Sequence, residues 1–240
     1  MSGHSKWATI HRKKGELDAA RGKVFQKLAK ELFVAAKSGS PDPDSNASLR
    51  MVVEKARSAN MPKDKIQSAI DKAAGAGSNE NYDSIRYEGY GPAGVAIMCD
   101  SLTDNKNRTA SDVRAAFTHH GGNLGTSGSV SYMFERRGII DIPSDYPEDD
   151  MMMCALDNGA LDFVHDGDVY EITTLAEDFI KCKKALEEAG VKEFLTSEVT
   201  FVPTNTVEVE DPEKREKVEG LIDTLDDLDD VQAVYSNLKD

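Results

Sequence analysis

GIIDI at 138–142, LDFVHDGDVYEITT at 161–174 and FLTSEVTFVP at 194–203 are the runs whose reading decides the fold. Each is rich in β-branched and aromatic residues and is bounded by Gly, Pro or Asp, which is the pattern of a strand. The middle run folds back at Asp166-Gly167, a dipeptide that readily supplies the positive φ of a tight hairpin. Pro147–Asp157 reads as a helix between the first and second runs, and Leu175–Ala189 as another between the second and third. The order β-α-β-β-α-β is that of a ferredoxin-like unit.

On the N-terminal side, IRYEGYGPAGVAIMCDSLTDN at 85–105 reads as a strand, a Gly-Pro turn and a buried strand. NRTASDVRAAFTHH at 107–120 follows as a helix stopped by Gly121, and SVSYMF at 129–134 alternates like a strand. On the C-terminal side come a strand at TVEVE (206–210), a helix from Pro212 to about Leu225, and a strand at VQAVYSNL (231–238). These two flanks complete each other if the regular unit is inserted between them.

Further toward the N-terminus, Val24, Phe25, Leu28, Ala29, Leu32, Phe33 and Ala36 fall on one arc of a helix running from about Arg21 to Lys37. Lys23, Lys27, Lys30 and Lys37 fall on the opposite arc. Ser45 or Asn46 caps a second helix with Leu49, Val52, Val53 and Ala56 inward, and Pro62 opens a third that Gly75 stops. AGAGSNEN at 74–81 has the composition of a linker.

The expected class is therefore α+β, an N-terminal three-helix domain followed by two α/β domains, at least one of them ferredoxin-like. Residues 1–76 form a basic helical domain with an N-terminal arm, 82–134 plus 205–240 a discontinuous α/β domain, and 135–204 the inserted ferredoxin-like domain.

Charge is divided unequally over this plan. The 240 residues carry a formal net charge of −14, yet residues 1–74 hold 15 Lys and Arg against 8 Asp and Glu, a balance of +7, which leaves −21 for the rest. Such segregation fits a chain that sets one end against a polyanion, the commonest being a phosphate backbone. No run approaches the ~20 apolar residues that cross a bilayer, and MSGHSKWATIHRKK lacks the apolar segment of a secretory signal. Cys99, Cys154 and Cys182 are far apart and flanked by apolar residues, as buried reduced thiols are. These features point to the cytoplasm.

The candidate nucleic-acid contacts are Lys6, Trp7, His11, Arg12, Lys13 and Lys14 in the arm, where an aromatic ring sits among cations, continued by Arg21, Lys23, Lys27 and Lys30 along the first helix. A lysine face on an amphipathic helix is also what simple solvation produces. A second candidate contact is Asn105, Lys106, Asn107 and Arg108, at the start of the helix that carries Arg114, where backbone N–H groups and the helix dipole favour a phosphate. The same residues are equally a capped strand-to-helix loop.

GGNLGTSGS at 121–129 resembles a phosphate-cradling loop only superficially, because it lacks the GxxxxGK[ST] form. Nothing at zinc or nucleophile spacing involves His4, His11, His119, His120 or His165. Two acidic clusters, Glu148-Asp149-Asp150 and Asp223, Asp226, Asp227, Asp229 and Asp230, raise the competing chemistry of a two-metal nuclease. The first, however, opens a helix, where negative charge is favoured, and the second has the pattern of a solvated helix end. The expectation is no catalysis, no metal and no cofactor. A protein adaptor working through the acidic domains is the remaining alternative.

GHSKWATI at 3–10, RGKVFQKLAKE at 21–31, NMPKDKIQSAI at 60–70, IRYEGYGPAGVAI at 85–97, LTDNKNRT at 102–109 and GGNLGTSGSVSYMFERRG at 121–138 strongly resemble the YebC family. The resemblance extends across nearly the whole chain. The family includes bacterial proteins labelled probable transcriptional regulators and a mitochondrial translational activator of cytochrome c oxidase. It implies a helical N-terminal domain, two α/β domains with the middle one discontinuous, and one of two non-catalytic tasks. Those tasks are DNA binding as a transcriptional regulator, or binding the ribosome through its RNA to assist translation of difficult messages. No polar recognition helix of the helix-turn-helix kind is evident, which favours a structured RNA, while the family label favours transcription. Neither task involves a membrane.

Overall fold

The computed structural model describes residues 17–75 and 81–239, with side chains from residue 22 onward. An N-terminal helical region is followed by mixed α/β sheets. The described residues divide into two compact units: Glu135–Val202 forms one, and the residues before and after it form the other.

The larger unit opens with three helices, α1 (Leu17–Lys37), α2 (Ala47–Ser58) and α3 (Lys63–Ala74). Leu28, Leu32, Ala35 and Ala36 of α1 meet Leu49, Val53 and Ala56 of α2 and Ile66, Ala69 and Ile70 of α3 in one buried cluster. Each fully buried Leu or Ile contributes about 1.5–3 kcal/mol, so this apolar arc holds the bundle together. Val24, expected on that arc, is 44 % exposed.

Asn46 makes the turn between α1 and α2. Its Oδ1 accepts the Leu49 N–H at 3.0 Å, while its Nδ2 donates to the carbonyls of Ala35 and Ser40 at 2.9 and 2.8 Å. One side chain thus satisfies the start of one helix and the end of another.

The chain then builds β1 (Asp83–Tyr90), β2 (Ala96–Thr103), α4 (Lys106–His119) and the two-residue β3 (Asn123–Leu124). After the inserted unit it adds α7 (Pro212–Asp227) and β8 (Val231–Ser236), the numbering following chain order. The sheet order is β3-β1-β2-β8 and every pairing is antiparallel. Val113, Ala116 and Phe117 of α4 and Val218, Leu221 and Leu225 of α7 pack together with Ile97, Cys99 and Val231 of the strands.

Two expectations fail here. SVSYMF is a short 3-10 turn at Ser131–Met133 rather than a strand, and TVEVE makes only an isolated bridge, Val207 to Leu238. The backbone of SVSYMF is taken out of strand pairing at its start, where the amides of Val130 and Ser131 donate to a buried carboxylate described below.

In the smaller unit, β4 (Phe134–Pro143), α5 (Glu148–Asp157), β5 (Ala160–Asp166), β6 (Val169–Leu175), α6 (Phe179–Glu188) and β7 (Thr196–Pro203) form a sheet of order β5-β6-β4-β7. The hairpin turns at Gly167, whose φ is +58°. Ile140, Ile142 and Ile172 face Met151, Ala155, Cys182 and Leu186 of the two helices. All three cysteines are free, and burial pushes the Cys99 thiol up to about 12 and the Cys182 thiol up to about 11.

Gly89 shows why β3 exists at all. A Cβ there would lie 2.5 Å from the Asn123 carbonyl oxygen and 2.7 Å from the Phe117 ring, so only glycine lets β1 sit against both. Gly89→Ala is expected to lower stability in urea titration by about 1–3 kcal/mol. Gly22→Ala, in α1 with nothing within 4 Å, is expected to be neutral or to gain up to about 1 kcal/mol.

Candidate nucleic-acid interface

The last turn of α7 contains no basic residue but does contain Asp226 and Asp227. Carboxylates at a helix C-terminus add to the negative end of the backbone dipole, and the arrangement stands only if cations come from elsewhere. They come from α1. Lys23 Nζ meets Asp227 Oδ1 at 2.8 Å, and Lys27 Nζ meets Asp226 Oδ1 at 2.9 Å and the Asp226 carbonyl at 2.7 Å. Lys30 Nζ donates to the Asp229 carbonyl at 2.8 Å and to Asp230 Oδ1 at 3.1 Å. The polar face of α1 is therefore a docking face over this stretch. The acidic cluster, which the sequence presents as a solvated helix end, is its counterpart.

Asp230 is the centre of the arrangement. Its carboxylate is buried and accepts from Lys30, from Arg108 at 2.6 Å, from the Thr109 hydroxyl at 2.8 Å and from the Thr103 hydroxyl at 3.2 Å. Burial alone would push this carboxyl up, but the bonds from Arg108, Thr109 and Lys30 outweigh it and hold the group down at about 2. Arg108 also meets Asp104 at 2.8 Å, and Lys106 meets Asp83 at 3.1 Å.

Asn105 caps α4, its Oδ1 accepting the Arg108 N–H at 3.1 Å. The loop at 103–109 thus has the features of a capped strand-to-helix connection, with its two cations held by carboxylates. Asn107 and Arg114 are exposed. A cleft of about 550 Å³ runs here, lined by Lys30, Tyr82, Asp104, Arg108, Asp112 and the segment from Asp227 to Asp230.

The glycine-rich loop has its own anion. The buried Glu88 carboxylate accepts the backbone N–H groups of Gly128, Val130 and Ser131 at 2.9, 2.9 and 2.8 Å, and the Glu88 carbonyl accepts that of Gly125 at 2.7 Å. Burial opposes the charge, yet the three backbone donors outweigh it and lower the carboxyl below its ordinary range. The loop cradles an internal carboxylate in the way that phosphate loops cradle a ligand.

The sequence places Lys37 on the arc opposite Phe33, but the structure sets it beside that ring in a second cationic row. Lys65 lies 5.4 Å from the centre of the Phe25 ring, and Lys37 and Lys72 lie 5.4 and 6.0 Å from that of Phe33, all three lysines being exposed. The ammonium groups face the rings at cation–π distance along the α1–α3 seam. The signal in the sequence was the seven-residue spacing of Lys65 and Lys72 against the eight-residue spacing of Phe25 and Phe33.

Lys6, Trp7, His11, Arg12, Lys13, Lys14 and the side chain of Arg21 lie outside the described residues. Among the described residues no helix is long and apolar enough to cross a membrane. None of them form a group of three or more His, Cys, Asp or Glu placed to hold a metal ion.

A basic three-helix region joined by ion pairs to acidic α/β sheets is the class of protein these features define. The chain belongs to the TACO1/YebC family: the family's N-terminal domain matches residues 5–76, and its second and third domains match residues 82–238. A probable transcriptional regulatory protein of Lactobacillus acidophilus is 54 % identical over 243 residues, covering 100 % of this chain and 99 % of that one. One of Rubrobacter xylanophilus is 49 % identical over 239 residues, covering 99 % and 95 %. The crystal structure of a conserved hypothetical protein from Aquifex aeolicus matches with a TM-score of 0.85 and 44 % identity, over 98 % of this chain and 97 % of that one.

Two predictions follow from the buried carboxylates. Asp230→Asn is expected to cost about 3 kcal/mol in urea unfolding at pH 7, because Arg108 and Lys30 lose a buried partner. The folded carboxyl titrates near 2 and an unfolded Asp near 3.9, so this contribution is full above about pH 5 and fades as pH falls toward 2. Glu88→Gln is expected to speed amide exchange at Gly128, Val130 and Ser131, read by hydrogen–deuterium exchange. Its cost is about 1.5–3 kcal/mol, also largest at neutral pH because the folded carboxyl is depressed.

Proposed function

We propose that the protein is a nucleic-acid-binding regulator of gene expression, acting on DNA as a transcriptional regulator, as the names of its relatives suggest. One observation carries the reading: residues 1–74 hold a balance of +7 in a chain of −14. Lysines neutralising phosphates release counterions, so cations gathered at one end bind a backbone without reading bases.

The arm residues Lys6, Trp7, His11, Arg12, Lys13 and Lys14 make the first contact, and Arg21, Lys23, Lys27 and Lys30 continue it along α1. Asn105, Lys106, Asn107, Arg108 and Arg114 form a second contact. The row of Lys37, Lys65 and Lys72 widens the cationic surface of the bundle. The second reading, a ribosomal-RNA-binding translation factor, is favoured by the same geometry, since lysine rows follow a sugar-phosphate chain of either kind.

In this reading the basic helical domain ends at residue 76. The α/β domain formed by 82–134 and 205–240 carries an insertion, 135–204, whose strand order β5-β6-β4-β7 supports a ferredoxin-like assignment. The protein works in the cytoplasm, without a cofactor.

The test is a binding titration of Lys13→Glu/Lys14→Glu on unrelated duplex sequences and on ribosomal RNA fragments. Binding is expected to weaken equally on every duplex, and the slope of log affinity against log salt to flatten by about 0.9 per lost phosphate contact. An unchanged slope would count against the arm. Tighter binding to the RNA fragments than to any duplex would favour the translational reading.

A further inference from the structure

We propose that the acidic end of α7 is an internal competitor for the lysine row of α1, so that a nucleic-acid backbone gains Lys27 only by displacing Asp226 and competes with Asp227 for Lys23. This rests on the reading of α1 as a phosphate-contacting helix and adds its regulation.

The three pairs are not alike. Asp230 is fixed from the other side by Arg108, Thr103 and Thr109, and its side chain is 10 % exposed. Lys30 is therefore held more firmly than the outer two lysines. Asp226 and Asp227 have exposures of 62 % and 74 %, and each meets a lysine of α1. Exposed pairs of this kind are individually weak and are screened by salt, which makes the outer two contacts reversible.

Lys27, by contrast, is only 14 % exposed while paired, so a phosphate cannot reach it unless Asp226 moves. The competitor also matches the ligand chemically. Lys27 and Lys30 each take one carboxylate and one carbonyl oxygen, acceptors of the same kind that a phosphodiester presents. The contact joins residues about 200 positions apart in sequence, so it ties the bundle to the far end of the α/β sheet.

Three full-length proteins decide the matter: the wild type, Asp226→Asn/Asp227→Asn, and the control Asp149→Asn/Asp150→Asn, which removes the same charge at the start of α5. Fluorescence anisotropy with a labelled duplex and with a labelled single-stranded RNA is measured across a salt series. The Asp226/Asp227 variant is expected to bind about fivefold tighter than the control at low salt. Its salt slope should steepen by about 0.9 for each lysine released to phosphate. Adding Lys23→Gln/Lys27→Gln to that variant should abolish both gains.

In the wild type, saturating nucleic acid should speed amide exchange at residues 223–230. Equal affinity and slope for the variant and the control, with exchange at 223–230 unaltered, overturns the proposal. If Lys13→Glu/Lys14→Glu still weakens binding in that case, the nucleic-acid reading stands without the competition. If it does not, both fall.

Discussion

Four side chains from two stretches of the chain converge on the carboxylate of Asp230: Lys30, and from residues 103–109 Arg108 and the hydroxyls of Thr103 and Thr109. That convergence sets the geometry of the larger unit. It fixes the end of β2 and the first turn of α4 against the entry to β8, and it gives α1 a fixed point on the sheet. A buried carboxylate with fewer donors would protonate or unfold its surroundings. With four, the carboxyl is held down at about 2 and stays ionised at neutral pH.

Glu88 applies the same logic to a loop. Glycine-rich segments expose several N–H groups in one direction, and something negative must meet them. Here the chain supplies the anion itself, so the loop is ordered without a ligand. Asp141 is the opposite case. It is buried on β4, and its bond to Thr196 does not compensate for burial and for the nearby charge of Glu198, so its carboxyl is pushed up to about 6. Donor number around each group separates Asp230 and Glu88, which organise structure, from Asp141, which pays a penalty for its position.

Much of the fold was legible from residues alone. The apolar arc of α1 apart from Val24, a cap at Ser45 or Asn46 that proves to be Asn46, the hairpin at Asp166-Gly167 and the order of helices and strands in the smaller unit all follow from local rules of period, capping and turn chemistry. What was hidden is what depends on distant partners. The alternation in SVSYMF mimics a strand, yet its amides serve Glu88, more than 40 residues away. TVEVE has strand composition but only one bridging neighbour.

The lysine stripe and the acidic cluster were each visible, and each taken alone reads as a solvated face. Only folding places one against the other. For the candidate site, charge segregation was written in composition, whereas which cations meet carboxylates and which lie over aromatic rings was decided by packing.

The separation of these partners along the chain has a consequence for biosynthesis. Lys23, Lys27 and Lys30 emerge about 200 residues before the aspartates that pair with them. At the usual pace of translation, roughly 5–20 residues per second, the helical bundle spends on the order of ten to forty seconds as a nascent cation without its counterweight. β8, which borders β2 at the edge of its sheet, is made later still than the aspartates. The lysine row of the growing polypeptide is therefore most open to polyanions before Asp226, Asp227 and Asp230 are made.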